Sequence, residues 1–246
     1  MSRIAIIGSE GKVGSALSPY LSKNNEIIPV DLPEIDALDT NRLTSLLKSA
    51  DVVIHLAGKY GPTSEGKENW RSEFRDPLNK AIFDSVLNAS INADIDQFIH
   101  ASSIHIEDTL GFNETHPGEF LIAQPKRFQT EISSGYGKAK REQEVFVESA
   151  SPYFRNGAVS VRLGGVTKNN EPMLQHANPV ILDHERKVWL EHGDLSDLIG
   201  RILSSHTRGY GVTYATSNNE GRFHNLNNKY GWIPKANSTD YPTTKE

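Results

Sequence analysis

The chain has 246 residues, no cysteine, and 26 basic against 31 acidic side chains, for a formal net charge of -5. Disulfides, thiolate metal sites and cysteine nucleophiles are thereby excluded, and mild acidity without a block of like charge leaves no footprint for nucleic acid or an anionic membrane. No apolar run approaches the roughly 20 residues needed to span a bilayer, and no charged start with a long apolar stretch marks a signal peptide, so the sequence reads as a soluble, cytoplasmic protein.

Arg3-Ile4-Ala5-Ile6-Ile7 is a short continuous apolar run, as expected of a strand buried on both faces of a parallel sheet. Gly8-Ser9-Glu10-Gly11-Lys12-Val13-Gly14 follows at once, and Ala16, Leu17, Tyr20 and Leu21 then recur at helical spacing. Strand, glycine turn and helix together let a backbone approach a pyrophosphate lying at the positive end of the helix. The pattern is Gly-x-x-Gly-x-x-Gly; alone it is weak, and an ordinary strand-to-helix turn is the bland reading, but both flanking elements are present. Residues 27–31 read as a second strand ending in Asp31, whose carboxylate can accept the ribose hydroxyls of NAD and repel the extra phosphate of NADP. No arginine follows it, which favours NAD. Asp39 or Thr40 caps a helix over residues 40–49 with Leu43, Leu46 and Leu47 inward.

Residues 51–58 form another buried strand that runs into the small residues Leu56-Ala57-Gly58. Residues 59–75, polar but carrying Trp70 and Phe74, read as a loop, either a flap over a site or a surface excursion, leading to a helix that ends near Asn92. Residues 97–103 form the next strand and deliver Ser102 and Ser103 at its carboxyl end, where open α/β sheets place their ligands. A long loop with Pro117 and Pro125 leads to Tyr136, and residues 158–164 read as a sixth strand. Beyond it the chain is less regular: residues 194–204 look helical, residues 211–216 look like a strand, and the turn at Gly231-Trp232-Ile233-Pro234 precedes a disordered polar tail over residues 235–246. Alternating strand and helix through the first two thirds argues a Rossmann-type doubly wound parallel sheet, α/β in class, as one domain: a nucleotide-binding core over residues 1–165 and a small substrate-side portion over residues 166–246.

The segment Ser133-Ser134-Gly135-Tyr136-Gly137-Lys138-Ala139-Lys140 carries the chemistry. Good helix formers follow Gly137, with Val145 and Phe146 expected on the inward face. Tyr136 and Lys140 lie one helical turn apart on one side. An ammonium beside a phenol favours the phenolate, whose ordinary pKa is about 10, and a tyrosine tuned in this way can exchange a proton with a substrate hydroxyl. Tyr-x-x-x-Lys also arises by chance in a chain with eight tyrosines, so its weight comes from what precedes it. Nine histidines show no metal-ligand spacing. Trp189, Trp232 and Phe223 read as packing anchors and Arg162 as structural.

The ordered set Gly8/Gly11/Gly14, Asp31, Asp36, Leu56-Ala57-Gly58, Asn79, Ala101-Ser102-Ser103 and Tyr136/Lys140 resembles the extended short-chain dehydrogenase/reductase superfamily, of the NAD-dependent epimerase/dehydratase type, over residues 3–166. Within it the chain is most similar to the uronate dehydrogenase branch, which oxidises a hexuronate at C1 to its lactone. Ser103-Ile104-His105, the run from Trp189 to Asp194, Ser217-Asn218-Asn219 and Gly231-Trp232-Ile233-Pro234 carry that likeness. The resemblance implies that Tyr136 is the base, that Ser103 bonds the same sugar oxygen, and that Lys140 holds the nicotinamide ribose and tunes Tyr136. NAD would be held by Gly8, Gly11, Lys12, Val13, Gly14, Asp31, Asp36, Ala37, Leu56, Ala57, Gly58, Asn79, Ala101 and Leu163, together with Tyr136 and Lys140. Ser103, His105, Tyr136 and Gly165 would meet the substrate. It implies a small sugar as partner and a homodimer or higher homo-oligomer.

The chain departs from that branch at Ile104, where the branch has a polar amide, and at Gly165, where it has a serine. The branch's carboxylate-clamping arginine has no counterpart in residues 169–173, leaving Lys168, Arg127 or Arg186 to substitute. A nucleotide-sugar epimerase or dehydratase is the enzymatic rival. About 80 residues follow residue 164, few for holding a nucleotide sugar, and Ile104-His105 stands where such dehydratases carry an Asp-Glu pair. A non-catalytic NAD sensor is the third reading, against which the retained Tyr136 and Lys140 argue.

Overall fold

The computed structural model describes residues 1–58, 77–132, 134–205 and 208–243. Six parallel strands, β1 (Arg3–Ile7), β2 (Glu26–Val30), β3 (Val52–His55), β4 (Gln97–Ser103), β5 (Ala158–Leu163) and β6 (Tyr210–Ala215), form one sheet in the order β2-β1-β3-β4-β5-β6. Seven α-helices accompany them among the described residues: α1 (Lys12–Leu21), α2 (Thr40–Leu47), α3 (Pro77–Asn92), α4 (Thr109–Thr115), α5 (Gly135–Ala150), α6 (Pro179–Lys187) and α7 (His192–Ser204).

The strands are apolar on both sides because both faces are covered. Ile4, Ile6, Val52 and Ile54 point to one face and pack with Leu17 of α1 and Leu195, Leu198 and Ile202 of α7. Their neighbours in sequence, Ala5, Ile7 and Val53, point to the other face and pack with Leu43 and Leu47 of α2, Phe83 and Val86 of α3, and Val147 of α5. This strict alternation, at about 1.5–3 kcal/mol for each fully buried large aliphatic or aromatic side chain, fixes the register and the sidedness of every crossover. A third cluster of Ile104, Phe112, Leu121, Val188, Tyr214 and Phe223 roofs the carboxyl ends of the later strands. The strand order turns at β1, which lies between β2 and β3, so the crevice for a ligand opens at the carboxyl ends of β1 and β3.

Several sequence expectations shift. The run over residues 158–164 is the fifth strand, and the sixth is β6 at the sheet edge. Asp39, not Thr40, caps α2, accepting the Arg42 N–H at 3.0 Å. The inward face of α5 is Lys140, Gln143, Glu144, Val147 and Ala150, while Val145 and Phe146 are exposed. The face of α5 toward the sheet thus carries polar groups with buried partners, which a purely apolar periodicity does not register. The long loop after β4 contains α4. The segment over residues 59–75 lies outside the described residues.

The expected disordered tail is instead docked as far as Tyr241. Asp194 accepts the N–H groups of Lys235 at 2.8 Å and Ala236 at 3.1 Å, and Asn219 accepts that of Ser238 at 3.0 Å. Arg186 donates to the carbonyls of Ser238 and Tyr241. Polar composition here reflects backbone held by buried side-chain acceptors. Among the described residues no helix is long and apolar enough to cross a membrane.

Candidate active site

The turn after β1 is compressed to the point where only glycine fits. Gly8 has φ +90°, and a Cβ there would lie 2.8 Å from the Ala57 nitrogen at the end of β3. A Cβ on Gly14 would strike the Gly8 carbonyl and come within 2.5 Å of that of Ser9. Gly11 is the N-cap of α1 with no capping side chain, and no acid stands in the first turn, where Lys12 and Val13 follow. The amino end of α1 is thus left open to an anion.

Asp31 begins just past β2. Its Oδ2 accepts the Glu10 N–H at 2.8 Å and its Oδ1 the Leu32 N–H at 2.9 Å. The carboxylate is therefore steered beside the glycine turn, and each oxygen retains a lone pair for a ribose hydroxyl. Asp36 is exposed and turns back to accept the Leu38 N–H at 2.9 Å, with Ala37 half-buried beside it. Leu56, Ala57 and Gly58 extend β3 half-buried past the turn, Leu56 N–H reaching the Ile7 carbonyl at 2.8 Å. Asn79 lies half-buried in the first turn of α3, and Ala101 and Leu163 lie half-buried toward the carboxyl ends of β4 and β5. A cradle that any Cβ would fill, an uncapped helix start and a steered carboxylate fit a dinucleotide such as NAD.

β4 and α5 bring the expected reactive trio to the same end of the sheet. Ser103, buried at the end of β4, caps the short 3-10 helix Ile104–Ile106 by accepting the His105 N–H at 3.1 Å. Ser134 caps α5 through the Gly137 N–H at 3.0 Å. Gly137 lets α5 settle onto the His105 carbonyl, which a Cβ would strike. That approach sets Tyr136 against His105, their rings edge-on at 6.2 Å. Lys140, one turn on, is buried and donates to the Ala101 carbonyl at 2.7 Å. Burial pulls its ammonium below the ordinary lysine value, against the opposing pull of the Tyr136 phenolate and the Glu144 carboxylate.

Beneath the trio lie buried polar groups, of which the sequence reading marked only Arg162, as structural. Glu144 and Arg162 form a buried two-point ion pair, Nε to Oε1 at 3.0 Å and Nη2 to Oε2 at 2.8 Å, and Ser102 donates to the same Oε1 at 2.6 Å. Arg162 also reaches Tyr214 Oη at 3.3 Å. Glu107 accepts the backbone N–H groups of Gln129 and Thr130 at 3.0 and 2.9 Å, and Arg141 of α5 lies 3.3 Å from it. The loop before Tyr136 is thereby tied to the turn after Ser103. His55 and His100, paired across β3 and β4, stack with Nδ1 atoms 3.3 Å apart in full burial.

On the substrate side, Gly165 follows β5 and pairs with Trp189, its N–H donating to Val188 at 2.9 Å. This brings the carboxyl end of α6 over it, and a Cβ on Gly165 would meet Glu185 Oε2 at 3.8 Å. Glu185 accepts from His184 at 3.2 Å, and this bond, with the nearby His184, His105 and His176, holds its carboxyl below the usual range despite burial. His224 lies wholly buried beside Tyr214, its imidazole pulled down to about 3 by burial. Of the residues suggested as a carboxylate clamp, Arg186 is spent on the carbonyls of Met173, Ser238 and Tyr241, Arg127 reaches Gln124, and Lys168 is exposed.

A model of the family described as NAD dependent epimerase/dehydratase matches residues 4–176. The chain belongs to that family. It is 25% identical over 222 residues to an L-arabinose 1-dehydrogenase (NAD(P)(+)) of Haloferax volcanii, covering 83% of this chain and 84% of the relative. Among solved structures it is similar to a uronate dehydrogenase of Agrobacterium tumefaciens, at TM-score 0.71 and 19% identity over 98% of this chain and 87% of that one. A glucuronic acid dehydrogenase of Chromohalobacter salexigens follows at TM-score 0.69 and 18% identity, over 98% of this chain and 86% of that one. These structural likenesses establish the fold.

Within this family frame, the glycine turn and Asp31 sit at one end of the crevice and Ser103, Tyr136 and Lys140 at the other. The sequence did not mark Glu107, Arg141 or Glu185. Glu107 and Arg141 act through partners 22 and 34 positions away and Glu185 stands by a bridge between residues 165 and 189, so no local spacing exposes them. Glu144 carried one faint signal, an acid one turn after Lys140.

Proposed function

We propose that this chain is an NAD-dependent sugar dehydrogenase that oxidises a ring hydroxyl, at C1 of a hexuronate or related aldose, to the lactone. The observation that carries the reading is the convergence of Ser103, Tyr136 and Lys140 at the crevice beyond β4, with Lys140 anchored on Ala101. The sugar dehydrogenases among its relatives support it.

Bound NAD supplies the hydride acceptor. Tyr136 Oη takes the proton of the sugar hydroxyl, and Ser103 Oγ, already fixed as a cap, hydrogen-bonds the same oxygen as it becomes a carbonyl. Lys140, driven into the protein under Tyr136, favours the phenolate and reaches the nicotinamide ribose. Asp31 meets the adenine-side ribose and disfavours a phosphate there.

Purified protein given NAD or NADP with glucuronate, galacturonate, neutral aldoses and hexose 6-phosphates, and followed by nicotinamide reduction, tests this directly. NAD-linked turnover of a sugar, but of no nucleotide sugar, is expected. A uridine and a thymidine diphosphate hexose are incubated in parallel and their products separated, since an epimerase returns its NAD unreduced; silence with every free sugar alongside conversion of a nucleotide sugar would transfer the chain to the epimerase side of its family.

A further inference from the structure

The substrate end of the site is acidic where a hexuronate would need a cation. Glu185 sits beside Gly165, and His105, whose ring packs edge-on against Tyr136, is among the imidazoles whose charge holds the Glu185 carboxyl down. Among the described residues three cations are otherwise engaged, while Lys168 stands exposed on the segment after Gly165. Arg186 is turned to three carbonyls, Lys187 pairs with Asp183 at 2.7 Å, and Arg162 is locked on Glu144. The segment after Lys168 offers a neutral amide: Asn170 donates to Glu191 at 2.6 Å and accepts the His192 N–H at 2.7 Å. The other titratable groups facing Glu185 are His184 on its own helix, His176 before that helix and His105 at the end of β4.

We propose that the Glu185 carboxylate is the specificity determinant of this site, accepting hydroxyls of a neutral aldose and rejecting a hexuronate. An ionised carboxylate offers acceptors only, which suits a polyol, whose hydroxyls can all donate. A substrate carboxylate brought beside it meets like charge at a half-buried group, and such repulsion discriminates between substrates of otherwise equal shape. The inference rests on the sugar dehydrogenase reading and narrows its substrate class.

L-arabinose, D-galactose and D-galacturonate share one pyranose ring configuration and differ at the C5 substituent, which is hydrogen, hydroxymethyl or carboxylate. Turnover of the three at pH 8 is compared in the native protein and in Glu185→Gln, an isosteric change on a helix that buries no residue. The native protein is expected to favour the neutral sugars in kcat/KM by a hundredfold or more, and Glu185→Gln to narrow that ratio at least tenfold by raising uronate turnover. Calorimetric titration of the same sugars onto the NADH-loaded forms reads selection without chemistry. Turnover with a uronate preference, or a ratio unmoved by Glu185→Gln, overturns the role of Glu185 and leaves the dehydrogenase standing. Absent turnover with a binding ratio that still responds to Glu185→Gln overturns the dehydrogenase and leaves the selection standing. No sugar bound or turned over by either form defeats both.

Discussion

At the scale of single residues the proposed chemistry divides the site into groups that move protons and groups that choose molecules. Tyr136 is proposed for the first. Tyr136→Phe keeps the ring that packs on His105 and removes only the hydroxyl, so sugar oxidation should fall by about a hundred- to ten-thousandfold while NAD binding persists. Turnover within threefold of native would mean that another group is the base. Asp31 is proposed for the second. Asp31→Asn keeps an oxygen for the Glu10 or Leu32 amide and removes the charge that repels a 2′-phosphate. The ratio of NAD to NADP efficiency should drop about ten- to thirtyfold, roughly 1.4–2 kcal/mol, and an unchanged ratio would show that the preference lies elsewhere.

At the scale of elements, α5 is joined to the sheet less by grease than by the Glu144–Arg162 pair one turn beyond Lys140. Glu144→Ala strands the Arg162 guanidinium, which is wholly buried, and should cost about 3–5 kcal/mol. A thermal midpoint lower by roughly 10 °C is the expected reading, and a shift under 2 °C would show that the pair is solvated. The same helix shows what a sequence discloses. Its start and the Tyr136–Lys140 spacing are local and were legible, as were the strands, the glycine turn and Asp31. Its inward face was misjudged because Val145 and Phe146 are the apolar residues, yet Gln143 and Glu144 are the buried ones. The docked end of the chain was misread for a similar reason: polar residues there meet Asp194, Asn219 and Arg186 from distant positions. Pairing across long separations leaves no periodicity to find.

At the scale of the molecule, three histidines in full burial make stability depend on acid. Burial draws His55 and His224 down to about 3 and His100 well below its ordinary value. Their folded pKa values lie below the unfolded one near 6.5, so between those limits the unfolded chain binds more protons. Stability is therefore full above about pH 6.5 and is lost as pH falls toward 3, each histidine contributing up to about 1.4 kcal/mol per pH unit. Denaturant midpoints measured from pH 7.5 to 4.5 should fall steadily, and His224→Phe should flatten that fall; a pH-independent midpoint would contradict the neutral burial of these rings.

The helix that carries Glu185 has a further consequence. α6 buries none of its nine residues and is fastened by an Asn178 cap at one end and by the carbonyl contacts of Arg186 near the other. The six-stranded sheet below owes it almost no cohesion. Apart from Arg186, which holds the docked tail, and His184 and Lys187, which pack on Phe223, its positions can be varied against new sugars with little cost to the nucleotide-binding core. A lineage carrying this chain can thus change its diet by rewriting a few exposed positions between Pro179 and Lys187, while the machinery that removes the hydride stays as it is.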